Sequence, residues 1–156
     1  MISFNTKNGK FNYRSAAVIL HENHVLVHRA MQDDFWALPG GRVEFLENSD
    51  QTVTREIHEE LGLESIVKKH LWHVENFFEY NSVKYHELSN YYLVNLVSPL
   101  NIKSELDFEG IERDNNLIFR WVPLAKISTY TLYPEFLVGG LNELPDTTVF
   151  LQLNEI

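Results

Sequence analysis

Between Asn48 and Gly62 the hydrophobic period changes. Val53, Ile57 and Leu61 recur at i, i+4 and i+8, the stripe of one helix face. Asn48 or Ser49 can serve as N-cap, Asp50 suits the positive end of a helix, and Gly62 stands where the periodicity stops. The spacing predicts a helix over Ser49–Leu61. That helix carries Glu56, Glu59 and Glu60 at i, i+3 and i+4, on one face beside the apolar stripe. Like charges so placed repel by roughly 0.2–0.5 kcal/mol per pair and raise one another's pKa. A solvated acidic face is the ordinary meaning of such a helix. A hard divalent cation is the other, because Mg²⁺ takes carboxylate oxygens together with substrate phosphates.

The charge balance bears on that choice. With 13 basic and 22 acidic residues the net charge is −9, which argues against a stable nucleic-acid partner. An acidic protein that binds an anionic ligand needs a cation between the two, and a bound metal supplies it. There is no cysteine, so disulfides, thiolate metal sites and a cysteine nucleophile are excluded. The 156 residues suit one domain, 1–156. Met1–Arg14 lacks the apolar core of a secretory signal, and no apolar run reaches the length of a membrane span. The expectation is a cytoplasmic protein without a membrane partner, with a homodimer left open.

Other segments read as strands. Arg14–Leu20 and His24–Arg29 form a hairpin around Glu22 and Asn23. Phe35–Leu38 is a short apolar run stopped by Pro39, Gly40 and Gly41, and Arg42–Phe45 is a further short strand candidate. Ile66–Tyr80 and Tyr85–Ser98 read as two long antiparallel strands turning near Asn81 and Ser82. The stretch 104–116 reads as an acidic loop, Ile118–Val122 as a strand, Tyr133–Leu144 as a helix weakened by Gly139 and Gly140, and Thr147–Leu153 as a weakly alternating tail. Strands mixed with two helices give an α/β or α+β domain.

From Gly41 to Leu63 the chain reads GRVEFLENSDQTVTREIHEELGL. This is the pattern G-x5-E-x7-R-E-U-x-E-E-x-G-U, with U a bulky aliphatic residue. It is met by Gly41, Glu47, Arg55, Glu56, Ile57, Glu59, Glu60, Gly62 and Leu63 without a departure. Seven fixed identities at a background of roughly 7% each would match by chance on the order of 10⁻⁸ times per start position. The chain closely resembles a Nudix (MutT-like) hydrolase. Leu38-Pro39-Gly40-Gly41 before the box and Arg120-Trp121-Val122-Pro123-Leu124 far downstream extend the resemblance over most of the domain.

The resemblance implies an α/β/α sandwich with a mixed sheet. It also implies hydrolysis of a nucleoside diphosphate linked to another moiety, by water and with Mg²⁺ or Mn²⁺. Residue by residue, Glu56, Glu59 and Glu60 are similar to the family's metal ligands, and the Gly40 carbonyl to its main-chain ligand. Glu47 and Arg55 resemble the pair that orients the loop. Arg55 lies off the glutamate face and is expected to point away from it. Glu56 resembles the base used by some relatives, while others take a carboxylate from a distant loop. Here the acidic loop offers Glu105, Asp107, Glu109 and Glu112, of which Glu112 and then Glu109 lie nearest the strand that anchors it.

Substrate marks are sparse. Arg29, at the end of a strand, is a candidate to grip a phosphate oxygen, and aromatics such as Tyr80 could stack on a base. The proline that ADP-ribose hydrolases of the family tend to carry past the box is Phe78 here, while Tyr80 weakly matches the tyrosine of diadenosine-polyphosphate hydrolases. His58 reads as a surface residue, and His70, His73 and His86 as packing or solvent-facing rather than metal-binding. The competing class is a catalytically silent nucleotide-sensing module, which would not require all three carboxylates.

Overall fold

The computed structural model describes all residues except Pro99, Arg113 and Asn115. Nine strands join in one mixed sheet of order β7-β8-β3-β2-β6-β5-β9, with β1 and β4 pairing to β2 off that path. The strands are β1 (Ser3–Thr6), β2 (Gly9–His21), β3 (His24–Ala30), β4 (Gly40–Arg42), β5 (Ser65–Tyr80), β6 (Val83–Leu96), β7 (Phe108–Glu109), β8 (Leu117–Pro123) and β9 (Val149–Asn154). Helix α1 spans Ser49–Leu61 and α2 spans Phe136–Gly140, with a 3₁₀ helix at Leu124–Thr129. The β2–β6 and β5–β9 pairs are parallel and the others antiparallel.

Alternation in β2 feeds two cores. Ala16 and Val18 join Val25, Val27, Trp36, Tyr91, Ile127 and Leu137 on one face, under the 3₁₀ helix and α2. Ala17 and Ile19 join Leu26, Phe119 and Trp121 on the other, under Val53 and Ile57 of α1. Helical elements on both faces of a mixed sheet make the α/β sandwich that the family resemblance implies.

The sheet splits where the box begins. β2 pairs with β3 only at Leu20 and His21, while further down Arg14–Ala16 pair with Gly40–Arg42. The segment between bridges the gap: Ala37 exchanges both backbone hydrogen bonds with His28 of β3, and Ala17 donates to the Pro39 carbonyl. The 40–42 main chain is thereby held beside β2 at the foot of α1.

Four expectations shift. The strand expected at Arg42–Phe45 is Gly40–Arg42, because Phe45 and Leu46 are 79% and 89% exposed and bury nothing. The helix over Tyr133–Leu144 contracts to Phe136–Gly140, as the two glycines foretold. The acidic stretch is not wholly loop, since Phe108–Glu109 pair with β8. The tail becomes β9, parallel to β5. The turns at Glu22-Asn23 and Asn81-Ser82 fall as expected, all four residues at positive φ.

Candidate active site

Helix α1 is fixed in roll by its buried stripe and by its first turn. Val53 and Ile57 are 0% and 1% exposed, a burial worth about 1.5–3 kcal/mol each. Ser15 Oγ donates to the Ser49 carbonyl at 2.6 Å, and the Ser49 and Tyr92 hydroxyls lie 2.5 Å apart. The Asn48 N–H donates to the Gln51 side chain at 3.1 Å, and Gly62 ends the helix in the left-handed conformation. This roll grades the three glutamates. Glu60 is 4% exposed, Glu56 is partly sheltered with its side chain 15% exposed, and Glu59 is half open.

The two box glycines are contact points. A Cβ on Gly41 would overlap the Glu56 carboxylate, and one on Gly40 would overlap the Ser15 carbonyl oxygen. Glu56 thus lies directly against the main chain next to the Gly40 carbonyl, the expected fourth ligand.

Arg55 departs from expectation. It holds Glu47, with Nε 2.7 Å from Oε2 and Nη2 3.1 Å from Oε1, but it does not turn away from the glutamate face. Its Nη1 donates to Glu56 at 2.9 Å and to Glu59 at 3.2 Å, while Nη2 also reaches the Arg42 carbonyl at 3.2 Å. The helical wheel placed its Cα off that face, and the long side chain crosses back. Thr52 Oγ1, 2.7 Å from Glu47, and the Glu44 N–H complete the clamp.

These contacts set the charges. The Arg55 hydrogen bond, helped by Thr52, holds Glu47 down at about 2. Burial raises Glu56 against the pull of Arg55, with Glu59 and Glu112 adding to the rise. Glu60 is pushed up to about 8 by burial and then by Glu56, with Arg14 opposing. Among the described residues no three His, Asp or Glu side chains already converge as a metal cage. The donor set is nevertheless all oxygen and crowded with like charge, which suits a hard cation.

The acidic stretch is docked on the helix end. The Ile111 N–H donates to the Glu60 carbonyl at 2.7 Å, and a Cβ on Gly110 would crowd that same oxygen. The charge of Glu112 acts on both Glu56 and Glu60. Glu109 is exposed on β7 and lines a cavity of about 380 Å³ behind the helix end, with Leu61, Leu63 and Trp121. Arg29 and Tyr80 meet elsewhere, on the loop 31–35. Arg29 Nη1 donates to the carbonyls of Met31 and Asp33 at 3.1 and 3.2 Å, its guanidinium stacks over Trp36, and the Tyr80 hydroxyl donates to Asp33 at 3.0 Å. His58 is exposed and pairs with Glu64 at 2.9 Å. Arg14, whose charge bears on Glu60, escaped sequence reasoning because nothing local marks a strand arginine that acts across a fold.

With this geometry in place, comparison with known proteins is specific. Residues 12–137 match the family model for the NUDIX domain, and the chain belongs to that family. It is 27% identical over 100 residues to MutT4 of Mycobacterium tuberculosis, a protein named as a mutator protein. The match covers 64% of this chain and 37% of that relative, so the chain spans well under half the relative's length. A MutT NUDIX hydrolase from Burkholderia pseudomallei is 26% identical, with a TM-score of 0.56 over 74% of this chain and 84% of its own. An ADP-ribose pyrophosphatase from Streptococcus suis shares the fold at 14% identity, with a TM-score of 0.57 over 90% of this chain and 98% of its own. No helix among the described residues is long and apolar enough to cross a membrane.

Proposed function

We propose that this chain hydrolyses a pyrophosphate bond in a nucleoside diphosphate linked to another moiety, with Mg²⁺ or Mn²⁺ as cofactor. The observation that carries the reading is the Glu56 carboxylate lying against Gly41 with Glu60 crowded beside it, in a chain that belongs to the Nudix family. Burial and like charge hold both carboxyls above their usual range, as befits oxygens that await an opposite charge. Glu56, Glu59, Glu60 and the Gly40 carbonyl are the groups that would hold the cation. When bound, it neutralises phosphate charge and acidifies a water.

The chain's own residues do the rest. Glu47 and Arg55 fix the loop before the helix and keep Glu56 and Glu59 in register. Glu112, brought over the helix end by Ile111, is the leading candidate to orient or deprotonate the attacking water, with Glu56, Glu59 and Glu109 the other carboxylates in question. Arg29 and Tyr80 are assigned to substrate at the far side, where both now hold the loop 31–35.

A panel assay tests the reading: nucleotide sugars, ADP-ribose, dinucleoside polyphosphates and oxidised dNTPs, each with Mg²⁺ and with Mn²⁺. Turnover of at least one compound, abolished by EDTA and restored by metal, supports it. No turnover of any, or undiminished turnover in EDTA, overturns it.

A further inference from the structure

The most polar buried region outside the box lies on the sheet face away from α1. Asn12 of β2 pairs directly with Glu87 of β6, and Glu87 pairs directly with Asn76 of β5. Paired residues project from the same side of a sheet, so the three form one row across three strands. Ser89 and Tyr91, two and four residues further along β6, share that face, and Tyr91 belongs to the core opposite α1. The three residues are 6%, 9% and 3% exposed.

Buried polar groups are normally partnered, and this row is short of donors. Asn12 Nδ2 donates to Glu87 at 3.1 Å, and Asn76 Nδ2 donates to Glu155 at 2.6 Å. Each amide turns its NH₂ to a carboxylate, which leaves its carbonyl oxygen for something else. Neither Asn12 Oδ1 nor Asn76 Oδ1 has a partner. The row therefore presents acceptors, including a carboxylate, to whatever meets it. An anion would be repelled. A cation is disfavoured, because Arg14 and Arg42 already bear on Glu87.

The surroundings connect the row to the box. Arg14, two residues from Asn12 and paired with Ser89, exerts its charge on both Glu87 and Glu60. One cation thus acts on both the acceptor row and the box carboxylate Glu60. On the other side of the row Phe78 and Tyr85 stack in parallel, 5.0 Å apart. Beyond them Phe35 meets Tyr80 and Tyr133 edge to face. Planar apolar surfaces beside buried acceptors suit an uncharged, donor-bearing group next to a phosphate chain.

We infer that the Asn12–Glu87–Asn76 row is a recognition subsite for the donor-bearing part of the nucleotide, the N–H groups of its base or the O–H groups of its sugar, with Arg14 on the phosphate side. The inference rests on the nucleotide-substrate reading above. A site built to accept hydrogen bonds rejects an analogue that lacks the donor, since its own buried oxygens stay unpaired.

The test follows the side-chain amide resonances of Asn12 and Asn76 by NMR in the metal-free full chain. The titrants are GMP, IMP, which lacks the exocyclic amine, 2′-deoxy-GMP, and inorganic phosphate. A response to GMP that is lost with IMP assigns the base as the source, and one lost with 2′-deoxy-GMP assigns the sugar; either supports the inference. An equal response to all three nucleotides that phosphate does not give assigns the donors they share, the base N1–H or the 3′-hydroxyl, and supports it; response to phosphate alone, or no response, overturns it. As a second readout, Glu87→Gln is expected to raise KM at least tenfold, with kcat within about twofold, for the panel substrate that is hydrolysed. An unchanged KM overturns the inference. Hydrolysis in the panel without these amide shifts sinks only the subsite, whereas amide shifts without hydrolysis sink only the enzymatic reading.

Discussion

The Glu56 carboxylate rests on the bare Cα of Gly41, leaving no room there for a methyl group. Gly41→Ala must therefore displace Glu56 or the strand β4 that carries Gly41. Overpacking of this kind costs about 1–3 kcal/mol, and shifting a group proposed to hold the cation costs far more in rate. The expected outcome is a folded protein with kcat reduced at least about a hundredfold. Circular dichroism and turnover on the panel substrate check it, and wild-type kcat would refute the role assigned to this contact.

Glu60 separates catalysis from stability. It is buried beside Glu56, so its charge is a liability to the metal-free fold. Glu60→Gln is expected to be at least as stable as the wild type in EDTA at pH 8, yet to lose kcat by about a hundredfold or more. Glu59→Gln should lose activity similarly with little change in stability. Retained activity in both would return the helix to a solvated acidic face.

Arg55 serves four acceptors with one planar fork, on Glu47, Glu56, Glu59 and the Arg42 carbonyl. Lysine keeps the charge but not the fork. Arg55→Lys is expected to lower kcat about tenfold or more and to cost about 1–2 kcal/mol in urea denaturation. If both quantities match the wild type, the clamp reduces to charge alone.

Glu112→Gln and Glu109→Gln decide the loop's part. One of them is expected to lose about tenfold or more in kcat, with stability moving by under about 1 kcal/mol as for other surface changes. The coupling of Glu112 to Glu56 and Glu60 favours that position. Wild-type kcat in both would leave the base within the box.

His28 sets a stability response to acid. Burial first, and then the charge of Arg14, lowers it from 6.5 to about 3. Folded His28 stays neutral while the unfolded side chain takes up a proton, so stability is full above about pH 6.5 and falls as pH drops toward about 3. The slope contribution approaches about 1.4 kcal/mol per pH unit. Its ring packs near Phe119 and its Nδ1 has no partner, so His28→Phe should fit. Urea unfolding at pH 7 and pH 5 should show a smaller loss in the variant than in the wild type; equal losses would exclude His28 as the cause.

What was legible in the sequence was what is encoded locally. The bounds of α1 followed from the Val53-Ile57-Leu61 stripe and its caps, and the two long strands followed from alternation and the Asn81-Ser82 turn. The short strands β1 and β7 were not legible, because Ser3–Thr6 and Phe108–Glu109 bury too little to alternate. Arg55 was misplaced because the helical wheel locates a Cα and not the end of a long side chain. Strand pairing hid the rest: no spacing in the chain reveals that Asn12 faces Glu87, or that Arg14 bears on Glu60.

The hold of the acidic stretch on α1 is made by main chain on both sides, Ile111 N–H to Glu60 C=O. Only Gly110, which must pass close to that oxygen, is committed by shape. The hydrogen bond itself needs no particular side chain at position 111. The mouth of the proposed site is in this sense pinned through its backbone: a change of side chain at position 111 that keeps the N–H leaves the stretch tied to α1.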